Sequence, residues 1–324
     1  MRLVDLAAAL PGVEIDPAAR DVEISRVEVD SRRVVPGDLF VAIRGAKSDG
    51  LQHAADAVAR GAVAVVADRA PVVETPRGVP WIRLAAPRQA LGRLAARIHG
   101  NPAERLVLAG VTGTNGKTST ATLLAAILEA RWGASGFIGT TGYRTGRRTI
   151  EADRTTPEAT VIQEILAELV AEGVPAAAME VSSHALALDR AEGCRFDVAV
   201  FTNLTRDHLD FHRDMEGYFS AKRRLLDLRK PGASAIVNAD DPYGRRLLAE
   251  AIDLYRWRGT RYGLVRMIEV CTGITPEVTE NTAQPYTFDV KITLPKDGDI
   301  DKNLIDELIQ AHKPAHAGYR LEVL

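Results

Sequence analysis

The sequence predicts an α/β protein with three parts: a small N-terminal α/β domain at residues 1–101, a doubly wound phosphate-loop domain at 102–248, and a small α+β module at 249–324. Three observations carry this. Between residues 105 and 237, short and nearly continuous apolar runs alternate with helical periodicities, the pattern of parallel strands buried on both faces. One of those runs opens into the glycine-rich stretch GVTGTNGKT at 110–118. Beyond Leu248 the Ala/Arg-rich texture fades: Lys47, Lys117, Lys222 and Lys230 are the only lysines before residue 250, whereas the tail alone adds Lys291, Lys296, Lys302 and Lys313. A chain of 324 residues accommodates two or three domains.

Taken in order, residues 22–29 and 38–43 read as strands and residues 53–60 as a helix closed by Gly61. Residues 62–66 form another apolar run. Residues 87–98 read as a helix with apolar positions at 91, 94, 95 and 98. His99-Gly100-Asn101-Pro102 stops that helix and serves as a linker. Residues 106–111 read as a buried strand, followed by the glycine-rich turn and a helix from Thr118 to about Arg131. Residues 157–172 are helical, with Pro157 in the first turn and Gly173 after the last. Residues 176–181, 196–202 and 233–237 read as buried strands and residues 215–228 as a helix. The tail reads helix, strand, helix, strand over residues 263–272, 286–294, 301–312 and 319–324.

Composition narrows the class. Hydrophobic residues make up 46% and charged residues 26%, so the chain is neither disordered nor fibrous. Forty-one Lys+Arg against 43 Asp+Glu give a net charge of −2, which argues against nucleic acid as a partner. The first residues, MRLVDLAAALPGVEID, place acids and a proline where a signal peptide needs an apolar core, and no stretch approaches a membrane span. Cys194 and Cys271 lie far apart and outside any CxxC spacing, so neither a disulfide framework nor a zinc site is expected. The expectation is a soluble, cytoplasmic protein. His312 and His316 are four residues apart, but Pro314 interrupts them and no HExxH is present, so they read as solvated loop histidines.

The glycine-rich stretch carries the strongest chemistry. Gly113, Thr114, Asn115 and Gly116 let backbone N–H groups converge on phosphate oxygens, the helix start at Lys117, Thr118 and Ser119 adds a partial positive charge, and Lys117 adds a full one. Thr118 would offer its hydroxyl to magnesium. The spacing departs from GxxxxGK[ST], because Val111 stands where that pattern has its first glycine. Glu180 and His208 each follow a buried strand, at the edge where open α/β sheets place ligands. Beside a triphosphate, a carboxylate and an imidazole suit magnesium; a helix-capping glutamate and a surface histidine are the alternatives.

The GTNGKT variant at 113–118 resembles that of the Mur ligases. MEVSSH at 179–184, FTNLTRDHLDFH at 201–212 and YFSAK at 218–222 resemble further signatures of that family. DRTTPE at 153–158, VDSR at 29–32 and PGDLF at 36–40 narrow the likeness to the branch that adds the third residue of the peptidoglycan stem peptide. The resemblance covers residues 1 to about 248. It implies an ATP-dependent ligase with a uridine-binding first domain. In such a ligase ATP phosphorylates a terminal D-Glu carboxylate, and an amino acid's amine attacks the acyl phosphate. The folylpolyglutamate synthetase branch shares the phosphate loop, but VDSR and PGDLF argue against it.

By resemblance, Val29 and Ser31 meet the uridine end of UDP-N-acetylmuramoyl-L-alanyl-D-glutamate, with Ala46, Lys47 and Ser48 beside the diphosphate. Thr155, Thr156, Ser182 and Arg190 meet the muramoyl-peptide, while Leu188 stands where some members carry Gln. Asn238 in VNADD at 237–241 lies near the adenine, or else ends a strand in a turn. Glu180, His208 and Thr118 hold magnesium with Lys222, whose neutral amine captures carbon dioxide to become a carbamate; an unmodified helix lysine is the alternative. Lys117, Lys222 and His208 form the catalytic set. The incoming amino acid is diaminopimelate or lysine. No DNPR-like or DYAH-like stretch follows residue 248, so the central domain reads as truncated and ligation as incomplete. AEAIDLYRWRGTRYGL at 249–264, EVCTGI at 269–274 and HKPAHAGY at 312–319 instead resemble the C-terminal module of phage tail proteins. The competing reading is therefore a tail or baseplate component, with tail proteins as partners through residues 249–324.

Overall fold

The computed structural model describes residues 1–7, 10, 13, 15, 19–45, 48–69, 79–256, 259–281, 284, 286–294, 302–314 and 317–323. Ala46, Lys47 and His316 lie outside the described residues. The chain divides into two compact units, Met1–Gly244 and Arg245–Leu324.

The first unit begins with α1 (Leu3–Ala7), β1 (Arg26–Glu28), β2 (Asp38–Val41), α2 (Ala54–Ala59), β3 (Ala64–Ala67), β4 (Trp81–Arg83) and α3 (Pro87–Ile98). The four strands pair in parallel in sequence order. One face packs Val27, Leu39, Val41 and Val66 against Leu3, Leu6, Leu91 and Leu94; the other packs Phe40 and Val65 against Ala54 and Ala57. The sequence reading of residues 22–29 as one strand is too long. Only Arg26–Glu28 joins the sheet, and Glu23 forms an isolated bridge to Arg2.

The chain then continues through β5 (Val107–Thr112), α4 (Lys117–Trp132), β6 (Gly136–Gly139), β7 (Gly142–Arg144), β8 (Thr149–Ile150), α5 (Ala159–Ala171), β9 (Ala176–Glu180), α6 (Ser183–Ala187), β10 (Phe196–Phe201), α7 (Leu209–His212), α8 (Met215–Asp227) and β11 (Arg229–Val237). The sheet order is β11-β10-β5-β9-β6-β7-β8, parallel from β11 to β6, with antiparallel β7 and β8 at one edge. β5 lies at the centre of the five parallel strands, its neighbours β9 and β10 being later in sequence; this reversal opens a crevice at the C-terminal strand ends. Val111 is level with both Glu180 and Val200, which brings three loops to one edge. Pro157 precedes α5 rather than opening it, and Glu158 takes the N-cap position. The hairpin β7–β8 is absent from the sequence reading because its two short strands leave too few residues for a period.

α3 meets the loop before β10 backbone to backbone. A Cβ on Gly92 would fall on the Glu192 carbonyl, and a Cβ on Gly193 (φ +81°) would fall on the Gly92 carbonyl. Arg93 Nε adds an ion pair to Glu192 at 3.5 Å.

α9 (Pro242–Arg256) runs from the first unit into the second. The second unit holds α10 (Arg261–Thr272), β12 (Glu277–Glu280), β13 (Thr287–Ile292), α11 (Lys302–His312) and β14 (Gly318–Val323). β13 lies between antiparallel β12 and parallel β14. Its core is Leu264, Ile268, Val278, Val290, Ile292, Ile305 and Ile309. The extra strand β12 carries Val278 as its one buried residue, too little to register as alternation.

The glycine contact predicts that Gly92→Ala destabilises the chain by about 1–3 kcal/mol, because the added methyl meets backbone that cannot rotate away. The midpoint of urea unfolding measures this, and an unchanged midpoint would contradict the tight docking of α3.

Candidate functional site

The loop between β5 and α4 forms as its sequence requires. Gly113 (φ +150°) and Gly116 (φ +83°) take conformations that side-chain-bearing residues avoid. A Cβ on Gly113 would collide with the Thr202 hydroxyl. The segment after β10 braces the loop from one side. Thr114 N–H donates to Asn203 O at 2.9 Å, Asn115 N–H to Asn203 Oδ1 at 2.9 Å, and Thr202 Oγ1–H to Asn115 O at 2.7 Å. Lys117 folds over the loop and donates to Gly113 O at 3.0 Å and Thr114 O at 2.9 Å. Ser119 lies exposed in the first turn of α4.

Glu180 closes the end of β9 and is fully buried. Its Oε2 accepts from Thr118 Oγ1 at 2.9 Å, and its Oε1 from Thr140 N–H at 2.9 Å. Its carbonyl accepts from Thr156 Oγ1 at 2.9 Å, and Thr140 Oγ1 donates to Thr155 Oγ1 at 3.1 Å. A hydrogen-bonded chain thus joins the first turn of α4 to the threonine pair ahead of α5.

Lys222 comes to the same loop from α8, only 1% exposed, and donates to Gly113 O at 2.6 Å. Its ammonium lies 4.6 Å from the Tyr218 ring centre. Burial first, and then the Lys117 charge, push this amine down to about 7. His208 sits in a left-handed turn (φ +50°) beside Asp207, 3.4 Å away, and 4.8 Å ring to ring from His184. His212 donates to or accepts from Ser183 Oγ at 3.0 Å, and burial followed by the His184 charge pushes it down to about 4.

A cleft of about 250 Å³ gathers Lys117, Lys222, Thr155, Thr156, Ser182, Arg190 and His208, together with Arg154, His184 and Tyr218. Among the described residues lining it, none is a carboxylate, so the cleft suits an anion. Arg190 Nε and Arg154 Nη1 both reach Glu158, at 3.0 and 2.7 Å. Thr140, Arg154, His184 and Tyr218 were not among the residues expected from the sequence. Arg154, His184 and Tyr218 stand inside the DRTTPE, MEVSSH and YFSAK stretches, whereas Thr140 carries no local signal.

Other expected residues lie elsewhere. Val29 and Ser31 follow β1, and Ser48 follows β2, with its hydroxyl 3.0 Å from His53 Nε2. These loops share the C-terminal edge of the first sheet but do not line the cleft. Asn238 ends β11 in a turn, its Oδ1 accepting from Asp240 N–H at 3.0 Å. Oxygen donors at Thr118 and Glu180 fit magnesium. Among the described residues no three His, Cys, Asp or Glu side chains converge as a ready metal cluster. Neither Cys194 nor Cys271 is joined in a disulfide, and no described helix is long and apolar enough to cross a membrane.

A phosphate loop at the crevice of a parallel sheet, opening on a cationic cleft and preceded by a second small parallel sheet, places the chain among the phosphate-loop α/β folds. The sequence matches the family described as Mur ligase family, catalytic domain, over residues 23–99, and Mur ligase middle domain over residues 111–258. It is similar to UDP-N-acetylmuramoyl-L-alanyl-D-glutamate--2,6-diaminopimelate ligase of Geobacter metallireducens, 45% identical over 258 residues, covering 78% of this chain and 50% of the relative. The same-named ligase of Solibacter usitatus is 47% identical over 245 residues, covering 75% of this chain and 49% of the relative. The chain belongs to the Mur ligase family. It spans about half the length of the curated relatives it matches. A solved UDP-N-acetylmuramoyl-L-alanyl-D-glutamate--2,6-diaminopimelate ligase superposes with a TM-score of 0.66 at 22% identity, over 96% of this chain and 75% of that one. MurF ligase from Thermotoga maritima in complex with ADP superposes with a TM-score of 0.50 at 24% identity, over 71% of this chain and 49% of that one. Residues 237–316 match the family described as Phage tail protein (Tail_P2_I).

The buried amine sets a pH dependence. With its value at about 7 in the fold and near 10.5 when unfolded, Lys222 costs most at and below pH 7, and the cost is relieved as pH rises. Lys222→Met should therefore stabilise the chain by about 2–3 kcal/mol more at pH 6.5 than at pH 9. Urea melts at the two pH values measure it; equal gains would mean that the amine is not buried as described.

Proposed function

We propose that residues 1–248 bind ATP and UDP-N-acetylmuramoyl-L-alanyl-D-glutamate and activate the latter for addition of the third residue of the peptidoglycan stem peptide. The observation that carries this reading is the shared cleft: the loop lysine Lys117, the buried Lys222, and Thr155, Thr156, Ser182 and Arg190 face one space. In this organisation residues 1–101 take the uridine end through Val29 and Ser31 and the diphosphate through Ala46, Lys47 and Ser48, and residues 102–248 take the nucleotide. The names of the relatives favour diaminopimelate as the incoming amino acid.

Gly113, Thr114, Asn115, Gly116, Lys117, Thr118 and Ser119 cradle the phosphates, and Asn238 stands near the base. A carboxylate oxygen of the terminal D-Glu attacks the γ-phosphorus, ADP leaves, and the acyl phosphate then passes its carbonyl carbon to an amine as phosphate departs. The chain positions these groups and neutralises charge, as in other phosphoryl transfers. Thr118, Glu180, His208 and a carbamylated Lys222 would hold magnesium, which supplies charge neutralisation when bound. The depressed Lys222 amine supports carbamate formation, since only a neutral amine captures carbon dioxide. Residues 249–324 carry none of the ligase motifs, so we assign completion of the tripeptide to sequence other than theirs.

Lys117→Ala should weaken ATP by about 1.5–3 kcal/mol, the worth of a charge-assisted contact. Fluorescent ATP titration reads it, and equal binding by variant and parent would remove the nucleotide assignment. Calorimetry should show UDP-N-acetylmuramoyl-dipeptide preferred over dihydrofolate. With ATP, magnesium, bicarbonate, dipeptide substrate and diaminopimelate, mass spectrometry should find ADP but no tripeptide. Tripeptide at about 1–100 turnovers per second would refute that part of the reading.

A further inference from the structure

The segment leaving β1 is held by two carboxylates that no solvent reaches. Glu28 and Asp38 are 1% and 0% exposed. Glu28 Oε1 accepts from the N–H groups of Val29 at 2.8 Å and Asp30 at 3.0 Å. Asp38 Oδ2 accepts from Val35 N–H at 2.9 Å, at the far end of the same segment. Arg26 ties the two ends: it donates to Asp38 Oδ2 at 2.8 Å and to Arg33 O at 2.6 Å. Between them Asp30 caps the single helical turn Ser31–Arg33 by accepting from Arg32 N–H at 3.0 Å. Glu28 Oε2 is buried without a hydrogen bond, 3.7 Å from Arg26 Nη2 and 3.5 Å from Arg33 Nε.

Burying a carboxylate is costly unless donors surround it, and such networks specify one backbone geometry. We infer that Glu28 is a positioning residue for the sugar-nucleotide: by claiming the N–H groups of Val29 and Asp30, its carboxylate fixes how Val29 and Ser31 are presented to the uracil end. Glu28 touches no ligand itself and acts through the backbone of the two residues after it. The inference rests on the proposed uridine role of the first sheet. Removing the charge while keeping the shape weakens both N–H contacts and sets an amide NH2 against two guanidinium groups.

The test is calorimetric titration of the full chain and Glu28→Gln with UDP, paired with fluorescent ATP at the phosphate loop. Glu28→Gln should bind UDP about tenfold more weakly and ATP as the parent does. Unchanged UDP affinity overturns the inference. So does an equal loss of UDP and ATP, which would make Glu28 a general structural residue. A parent that binds ATP but not UDP overturns the uridine reading itself, and the inference with it.

Discussion

Glu180 is the constraint on which the site depends. A carboxylate with no solvent contact must find donors, and it finds them on two separate elements: the Thr118 hydroxyl at the start of α4 and the Thr140 N–H after β6. Its main-chain carbonyl takes a third, from Thr156. Thr118 lies in the first turn of α4, whose Lys117 lines the cleft, and Thr156 lines it directly. Gly139 completes the arrangement, because a Cβ there would strike Glu180 Oε1. The desolvation cost of one charge thus organises the loops at three strand ends.

The cationic side of the cleft is arranged differently. Lys117 and Lys222 both donate to the carbonyl of Gly113, so two ammonium groups share one acceptor. Lys222 is the more deeply buried, and its amine falls furthest. A dipole can satisfy the geometry of such a pair without cancelling its charge. The charges of Glu180 and Asp207 act on Lys117 and that of Asp207 on Lys222, so carboxylates as well as carbonyls balance the two amines.

How much of this was legible in the sequence depended on range. The phosphate loop could be read because glycine, lysine and threonine act within nine residues, between a buried strand and a helix. Glu180 and His208 could be placed at strand ends, since apolar runs mark where strands stop. The contact between Thr140 and Glu180 could not, because it joins positions 40 apart through strand pairing that leaves no local trace. Arg154 and Tyr218 lay inside recognised stretches without an assigned role; their part follows from the shape of the cleft. Likewise β7, β8 and β12 are short pieces whose place is set by neighbours rather than by their own periodicity. Glu28 read as one residue of an overlong strand, and its burial emerged only with the turn that follows it.

The glycine pair at Gly92 and Gly193 has a consequence for scale. Where side chains separate two elements, substitution can lengthen or shorten the gap; where backbone meets backbone, the gap is already at its minimum. The spacing of α3 from the loop before β10 is accordingly set by main-chain geometry. A larger residue at either position would have to move one backbone off the other. The junction is thus a seam with no slack to absorb even one added methyl.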